Sequence, residues 1–239
     1  MDYKDFKVGY TEDSFWLKSK KFLIENLAQK VSHGQTNLRI LNIGAGMGGD
    51  LEILAKFGRN YVLDVEAGAV DSIDDNLCEE KKVADACDIP YGDNLFDLVI
   101  ASDVLEHIKD DKKAVSEVYR VLKHGGTFIF MVPAFQFLFS SHDKALGHYR
   151  RYSKETVKNL IGNFRNLKIF YWNSLLLPPT FILRLMKKKS EPKIDYIAMP
   201  NFLNFCLFKI ISIDNFLIKK GISPFIGMSL VGYCQKKQS

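Results

Sequence analysis

The stretch that decides the fold runs from residue 38 to residue 50 and reads LRILNIGAGMGGD. An apolar segment over 38–43 leads into four glycines within six residues, and apolar side chains at helical spacing begin at Leu51. This order predicts a buried strand, a tight turn and the start of a helix. Glycines let a turn adopt positive φ angles and let a ligand approach the backbone, while the free amides at a helix start favour an anionic group. We therefore expect a ligand-binding loop here.

The glycine spacing fits two kinds of cofactor. Gly44, Gly46 and Gly49 match the G-x-G-x-x-G of dinucleotide-binding proteins. Gly44, Gly46 and Gly48 equally match the G-x-G-x-G of S-adenosylmethionine enzymes. Asp64 lies 20 residues after Gly44, at the end of the next predicted strand, where a carboxylate can accept hydrogen bonds from both hydroxyls of a ribose. Both cofactors contain an adenosine ribose, so the loop alone does not choose between them.

The rest of the chain alternates strand and helix patterns. The predicted strands after the first are 60–65, 82–84, 96–101, 127–132, 166–172 and 228–235, and helices are expected over 13–32, from 51, over 111–122 and from 153. This alternation predicts an α/β fold with a doubly wound, Rossmann-like seven-stranded sheet, mostly parallel with an antiparallel last hairpin. Lys123, His124, Gly125 and Gly126 are expected to end the helix over 111–122. Thr156 follows the expected cap Ser153 where a glutamate is usual, so the capping box is expected to be incomplete.

The domain organisation follows from these patterns. We expect one domain over 1–239, because no low-complexity linker or internal repeat interrupts it. Its parts are an N-terminal helical lid (1–34), a cofactor-binding core (38–132), an active-site connection (133–152) and an apolar helical insertion before the last strand (173–226).

The composition limits the function class. Hydrophobic residues at 47% and charged residues at 26% are typical of a globular protein, and a net charge of +5 is too small to indicate nucleic acid by itself. The four cysteines are scattered without C-x-x-C spacing, so no disulfide framework and no metal site are expected. The N-terminus lacks the features of a signal peptide, and no uninterrupted apolar stretch approaches membrane-spanning length. A cytoplasmic location, with peripheral membrane contact left open, is the expectation.

Five segments, in this order along the chain, decide between the two cofactors: LNIGAGMGG (41–49), LDV (63–65), ADACDIP (84–90), FDLVIASDVLEHI (96–108) and RVLKHGG (120–126). In these segments the chain resembles the class I S-adenosylmethionine-dependent methyltransferases, in particular the methyltransferase type 11/12-like branch that includes small-molecule and quinone methyltransferases. One departure is Asn42, where the family usually has an acid. The resemblance implies S-adenosyl-L-methionine as the cofactor and S-adenosyl-L-homocysteine as the product.

The resemblance also implies a cofactor-binding set. The glycines would face the methionine part, Asp64 the ribose hydroxyls, and Asp85 the adenine amino group. The full set that it implies is Gly44, Gly46, Gly48, Asp64, Val65, Asp85, Ala86, Ser102, Trp16 and Lys20. Ser102 would lie near the methionine amino group. Lys20 would pair with the cofactor's carboxylate, and Trp16 would be the aromatic residue that accompanies it on the first helix. The alternative is that this helix only packs on the sheet.

Methyl transfer requires an oriented acceptor and, where the acceptor carries a proton, a base near the carboxyl ends of the fourth and fifth strands. His107, His148, Tyr149 and Arg150 are the catalytic candidates, although His107 is as well explained as a structural histidine at a helix start. The segment GHYRRY (147–152) resembles one in methyltransferases of glycan and cell-envelope biosynthesis. Adjacent arginines suit a carboxylate or phosphate on the acceptor, with solvated surface cations as the alternative.

The acceptor expected from these features is a small molecule or a glycan or lipid-linked compound, methylated on oxygen. A quinone or other prenylated ring is the alternative acceptor, and a methyltransferase-like binding protein that has lost its cofactor is the alternative class. The apolar insertion, with 175–218 and the basic run 187–189, could roof the substrate pocket, form a homodimer interface or contact a membrane. No nucleic-acid partner is expected, because no Asn-Pro-Pro-Tyr-type motif follows the fourth strand.

Overall fold

The computed structural model describes residues 13–186, 191 and 200–238. The strands are β1 (Leu38–Ile43), β2 (Gly58–Asp64), β3 (Glu80–Val83), β4 (Phe96–Ser102), β5 (Leu122–Pro133), β6 (Arg165–Trp172) and β7 (Ser229–Gln235). The α-helices are α1 (Phe15–Ser32), α2 (Leu51–Leu54), α3 (Ala67–Ser72), α4 (Asp111–Val121), α5 (Ser141–Leu146), α6 (Lys154–Leu160), α7 (Leu177–Met186) and α8 (Asn201–Lys219). The basic run 187–189 of the predicted insertion lies outside the described residues.

The strands form one seven-stranded sheet in the order β3-β2-β1-β4-β5-β7-β6. The first five strands in sequence pair in parallel, and β7 is antiparallel to both β5 and β6. This arrangement confirms the predicted fold class, including the N-terminal helix and the helices inserted before the last strand. The strand order reverses direction between β1 and β4, and in open α/β sheets ligands bind in the crevice outside the carboxyl ends of the strands at such a point.

The apolar core lies on both faces of the sheet because successive side chains of a strand point to opposite faces. In β1, Leu41 and Ile43 belong to the cluster that includes the inner face of α4, whereas Leu38 and Ile40 belong to the cluster that includes α1 and α8. Each fully buried aliphatic side chain contributes about 1.5–3 kcal/mol. The two layers hold β1 and β4 firmly, so the loops at their carboxyl ends start from fixed positions.

The predicted glycine stop after α4 is wrong. The helix ends at Val121, and β5 begins at the next residue. Phe96 pairs with Leu122 but Leu98 pairs with Thr127, so Gly125 and Gly126 lie in an irregularity of the β4–β5 ladder. Gly125 has a φ of +77° there, and a Cβ on Gly126 would lie 2.9 Å from the carbonyl oxygen of Lys123. These glycines therefore serve a bulge, where extra residues on one strand need unusual backbone angles.

The cap of α6 also differs from expectation. The side chain of Ser153 accepts a hydrogen bond from the amide of Thr156, and the hydroxyl of Thr156 accepts one from the amide of Ser153. A threonine thus completes the capping box that a glutamate usually completes. The cap fixes the point at which the 133–152 connection enters the helix.

Helix α8 combines an apolar sequence with an exposed surface. Among the described residues it is the helix that satisfies the length and composition of a membrane span, with a mean hydropathy of 1.4 and 22% of that segment buried. Its inner side is polar in part: Asp214 accepts hydrogen bonds from Ser174, and Asn215 bonds both Trp172 and the carbonyl oxygen of Ser19. These bonds fasten α8 to α1 and to the end of β6.

Candidate active site

The glycine loop requires glycine at three alternate positions. Gly44, Gly46 and Gly48 have φ angles of +65°, +54° and +77°, a region that L side chains rarely adopt. A Cβ on Gly44 would also lie 2.3 Å from Cγ2 of Val104, in the segment after β4. The loop is therefore a narrow backbone cradle pressed against the end of β4.

Asp64 connects this cradle to the end of β2. The amide of Gly46 donates to one carboxylate oxygen at 2.9 Å, and the amide of Glu66 donates to the other at 3.0 Å. Asp64 is buried, and each of its oxygens keeps a further lone pair for an outside donor. Val65, the next residue, is exposed beside it.

Asp85 and Ala86 follow β3 at the same edge of the sheet. One carboxylate oxygen of Asp85 accepts a hydrogen bond from the amide of Cys87, which fixes the turn, while the side chain stays exposed. Ala86 is buried and packs in the core cluster on the α4 side of the sheet. The exposed carboxylate is thus held in one orientation at the rim.

Ser102 ends β4 beside the cradle. Its hydroxyl oxygen is buried and has no hydrogen-bond partner in the described part of the chain. A buried hydroxyl without a partner is costly unless a ligand or water completes it. The backbone cradle, the buried Asp64 and this hydroxyl together fit a cofactor with a ribose and a polar tail.

Lys20 reaches the same edge from α1. Its ammonium group lies 2.8 Å from a carboxylate oxygen of Asp103, the residue after β4. The expected partner was the cofactor's carboxylate; the structure pairs Lys20 with its own chain, and a cofactor contact stays a prediction. Trp16 packs on Trp172 with ring centroids 4.8 Å apart, in the apolar layer under α8, so its cofactor role also stays a prediction.

A second group of polar side chains lies beyond the end of β4. Glu106 and His107 belong to a short 3₁₀ turn over 105–107, and His148 comes from the connection after β5. The imidazole rings of His107 and His148 meet edge to face with centroids 4.5 Å apart. The amide of Tyr149 donates to the carbonyl oxygen of Glu106 at 2.8 Å and ties the two segments together.

The Glu106 carboxyl group is almost fully buried. Burial, reinforced by the negative charge of Asp103, raises its pKa well above the ordinary value for glutamate. One carboxyl oxygen of Glu106 has no hydrogen-bond partner among the residues that the structure describes. A buried carboxyl with a raised pKa is typical of functional sites.

His148 is oriented by a buried carboxylate. Its Nδ1 lies 3.1 Å from a carboxylate oxygen of Asp143, which also accepts a hydrogen bond at 2.7 Å from Nε of Arg151. Asp143 further accepts from the amide and hydroxyl of Ser140, and its side chain is completely buried. The carboxylate thus holds the imidazole in one orientation and leaves Nε2 for another group.

The two arginines of the 147–152 segment do not form one anion site. Arg151 is buried and bound to Asp143, whereas Arg150 pairs with Asp111 at 2.7 Å and donates to the carbonyl oxygen of Lys109. Both guanidinium groups are therefore paired within the protein, with that of Arg151 buried and that of Arg150 partly exposed. Successive side chains of extended backbone point to opposite sides, which separates these neighbours in sequence. Tyr149, by contrast, is exposed beside Arg150.

Sequence reasoning missed two members of this group. Glu106 and Asp143 were not among the predicted site residues, yet they flank His107 and orient His148. The signal for Glu106 was an acid directly before a candidate histidine. Nothing in the sequence distinguished Asp143, because helix α5 and the left-handed Gly147 after it bring the two side chains together.

Comparison with known proteins identifies the core. The family described as "Methyltransferase domain" matches residues 41–130, from the middle of β1 through most of β5. Residues 41–130 are a class I S-adenosylmethionine-dependent methyltransferase domain. This range contains the glycine cradle, Asp64, Asp85, Ser102, Glu106 and His107.

Two curated relatives are similar over part of the chain. A "Probable S-adenosylmethionine-dependent methyltransferase" of Mycolicibacterium smegmatis is 26% identical over 127 residues, which are 52% of this chain and 48% of the relative. A sarcosine/dimethylglycine N-methyltransferase of Halorhodospira halochloris is 36% identical over 111 residues, 39% of this chain and 37% of the relative. The matches thus span about half or less of each protein.

Solved structures share the fold more widely. A phosphoethanolamine N-methyltransferase 2 of Haemonchus contortus, in complex with phosphomonomethylethanolamine and S-adenosylhomocysteine, superposes with a TM-score of 0.60 at 20% identity. The superposition covers 89% of this chain and 52% of that chain. The matched range 41–130 does not include Asp143, His148 or α8.

Proposed function

We propose that this chain is an S-adenosylmethionine-dependent methyltransferase that methylates an oxygen atom of a sugar, glycolipid or related small acceptor. The observation that supports the cofactor is the joint geometry of the cradle and Asp64, in which the amide of Gly46 is fixed by the carboxylate that would receive the ribose. When bound there, the cofactor supplies a methyl group already activated on a sulfonium.

The chain's own residues position the reactants. Gly44, Gly46 and Gly48 let the cofactor's tail approach the backbone, and Ser102 offers a buried hydroxyl to its polar groups. Asp64 and Asp85 accept hydrogen bonds from the ribose and the adenine amino group. Orientation of this kind converts a bimolecular displacement into an effectively unimolecular one.

The group around Glu106, His107 and His148 supports an acceptor that must lose a proton. An alcohol acceptor releases its O–H proton as the new O–CH₃ bond forms, so groups that favour this loss assist transfer. His148 is fixed by Asp143, and beside it Glu106 has a carboxyl oxygen with no hydrogen-bond partner among the described residues. An amine acceptor that arrives unprotonated would not need such a group.

Apolar surface beside the site supports an acceptor with a lipid or other apolar part. Phe137 and Tyr149, both in the connection after β5, are exposed, and Phe137 contacts Phe181 of α7 edge to face. Separately, the outer stripe of α8 exposes Phe202, Phe205 and Phe216. We include peripheral contact with a membrane surface in the proposal for this reason.

Two measurements test the proposal. Calorimetric titration with S-adenosylmethionine and, separately, with NAD should give binding only for the former; binding of NAD alone, or of neither, would reject it. A screen of hydroxylated, amine and quinone acceptors with methyl-labelled cofactor should then label a hydroxylated compound. Label only on an amine or a quinone would reject the oxygen acceptor while keeping the cofactor.

A further inference from the structure

Three side chains beyond the end of β4 have the geometry of a metal site. In the described part of the chain, Glu106, His107 and His148 each offer one ligand atom, and these atoms lie within 4.8 Å of one another. Two ligands come from the 3₁₀ turn and the third from the connection after β5, so an ion would join segments that the fold has already brought together. We propose that Glu106, His107 and His148 bind one divalent transition-metal ion, with Zn²⁺ as the best match.

The donor chemistry favours such an ion over a hard cation. Two imidazole nitrogens and one carboxylate oxygen suit Zn²⁺ and its neighbours, whereas Mg²⁺ and Ca²⁺ prefer oxygen ligands alone. Catalytic zinc sites use three protein ligands, including His₂Glu sets, and keep the fourth position open. Tetrahedral bonds of about 2.0–2.1 Å place ligand atoms about 3.3 Å apart, so small side-chain rotations from the present geometry are enough.

The surroundings of His148 supply an independent observation. Metal-bound histidines usually donate their second ring nitrogen to a carboxylate, which fixes the tautomer and the ring orientation. Here Nδ1 of His148 lies 3.1 Å from the carboxylate of Asp143, and Arg151 and Ser140 hold that carboxylate in place. With Nδ1 protonated toward Asp143, Nε2 carries the lone pair that a metal requires.

Glu106 supplies the other independent observation. It is 1% exposed, and one of its carboxyl oxygens has no hydrogen-bond partner in the described residues. A buried carboxyl oxygen normally has a donor, because leaving it without one is costly. An ion held between this oxygen and the two imidazoles would satisfy it.

A metal at this site would have a specific role in the proposed reaction, and this role rests on the proposed function. The open position would take the acceptor's hydroxyl, because a metal-bound O–H group loses its proton far more readily. The proton passes to solvent, the O–C bond forms as the S–C bond of the cofactor breaks, and the electron pair of that bond stays on sulfur. The metal keeps its oxidation state throughout, so no oxidant or reductant is needed.

Metal binding is tested without relying on activity. The full chain is purified, stripped with chelator and titrated with Zn²⁺ by calorimetry, and with Co²⁺ by visible absorption. We expect about one equivalent of each, with intense visible Co²⁺ bands of a four-coordinate site, and no comparable binding of Mg²⁺. The absence of one-equivalent binding in a protein that still binds S-adenosylmethionine would overturn the metal site and leave the proposed function standing.

Matched variants separate the site from adventitious surface binding. Glu106→Gln keeps the shape of the side chain and removes the charge, and His148→Ala removes a ligand; each should weaken Zn²⁺ binding by more than the roughly 10–100-fold that loss of an outer partner costs. His124→Ala, at an exposed histidine whose Nδ1 lies 3.1 Å from the carbonyl oxygen of Lys237, should leave binding unchanged. Unchanged affinity in both site variants would overturn the proposal. Far-UV circular dichroism and cofactor affinity establish that each variant is folded, and His148→Gln replaces His148→Ala if that variant is not.

The two proposals fail separately. A protein that binds one Zn²⁺ but no S-adenosylmethionine would reject the proposed function and keep the metal site. A protein that binds S-adenosylmethionine and methylates its acceptor equally well after chelation, with no metal content by mass spectrometry, would reject the metal site.

Discussion

The ammonium group of Lys20, in the second turn of α1, lies 2.8 Å from a carboxylate oxygen of Asp103, directly after β4. Burial opposes the charged form of both groups, but their mutual attraction prevails, so the pKa of Lys20 is raised and that of Asp103 is lowered. The pair joins the N-terminal helix to the edge of the sheet where the cofactor is proposed to bind. Asp103 adopts a φ of +58° to reach this position.

Removing one partner of this pair should be strongly destabilising. Lys20→Met leaves the partly buried Asp103 carboxylate without its partner, and breaking a buried pair costs up to about 3–5 kcal/mol. Urea denaturation measures the loss in the free energy of unfolding. Lys18→Met, two residues away in an exposed pair with Asp13, is the control and should change the free energy of unfolding far less. Equal losses in the two variants would contradict a buried ion pair at Lys20.

The geometry of the glycine cradle predicts that Gly44→Ala lowers the stability of the fold strongly for so small a substitution. Gly44→Ala places a Cβ 2.3 Å from Val104 and forces alanine to a φ of +65°. The backbone conformation alone costs about 1–2 kcal/mol, and the overlap about 1–3 kcal/mol more. Thermal and urea unfolding should record the sum of these two costs as a loss of stability. The double variant Gly44→Ala/Val104→Ala should recover only the cost of the overlap.

Gly92→Ala is the matched control for this substitution, because no atom lies within 4 Å of its added Cβ. It should leave the free energy of unfolding within about 0.5 kcal/mol of the original. A Gly44→Ala protein as stable as the Gly92→Ala protein would show that the cradle is not constrained as described.

Asp85 offers a clean test of the adenine contact. Asp85→Asn keeps an oxygen for the Cys87 amide but replaces the other oxygen with an NH₂ group, which cannot accept from the adenine amino group. Losing one hydrogen bond of about 0.5–1.5 kcal/mol should weaken S-adenosylmethionine about 2–10-fold in a calorimetric titration. Asp88→Asn, also exposed and three residues on, should leave affinity unchanged. Equal affinity for the Asp85 variant would remove this residue from the proposed site.

The fold around the proposed cofactor site was predictable from sequence because its signals are local, and the cofactor contacts themselves stay a prediction. The apolar run 38–43, the glycines and the acid at the end of the next strand all concern short segments, and parallel strands bring their carboxyl ends to one edge. The structure places Gly46 and Asp64 in direct contact, as this reasoning requires. The strand limits differ by a few residues at most, apart from β5, which begins five residues earlier than predicted, at Leu122 rather than Thr127.

The acceptor side was not predictable in the same way, because tertiary contacts decide it. Arg150 and Arg151 are adjacent in sequence, but one pairs with Asp111 and the other with Asp143. Glu106 and His148 are far apart in sequence, but the bond from the Tyr149 amide to the Glu106 carbonyl brings their segments together. No spacing rule for a single segment contains this information.

The hydrogen bonds of Glu117 predict that the stability of the fold depends on pH. Its carboxylate accepts from Nε and Nη2 of Arg120 and from the amide of Ile89, and the bond with Arg120 is the main cause of its lowered pKa. A lowered folded pKa means that the contribution is complete above the unfolded value of about 4.3 and is lost as pH falls through the folded value. Glu117→Gln should cost about 1–3 kcal/mol near neutral pH.

The measurement is urea unfolding of both proteins from pH 7 to pH 3. The difference between the original protein and Glu117→Gln should be constant above about pH 5 and shrink below it. A difference that grows as the pH falls would reverse the sign and reject the assignment of Glu117 as a stabilising carboxylate.

The exposed stripe of α8 predicts binding to anionic vesicles. Phe205 and Phe216 are more than half exposed on the side opposite the anchoring Asp214, and Lys209 and Lys220 lie over their rings. An apolar stripe flanked by cations suits the surface of an anionic bilayer. Phe205→Ser/Phe216→Ser removes two side chains worth up to about 1.5–3 kcal/mol each on burial, and should lower co-sedimentation with phosphatidylserine-containing vesicles at least 10-fold at physiological salt. Val83→Ser, an exposed apolar residue on the edge strand β3, is the control and should bind as the original does. An original protein that stays wholly in the supernatant would remove the membrane contact from the proposal.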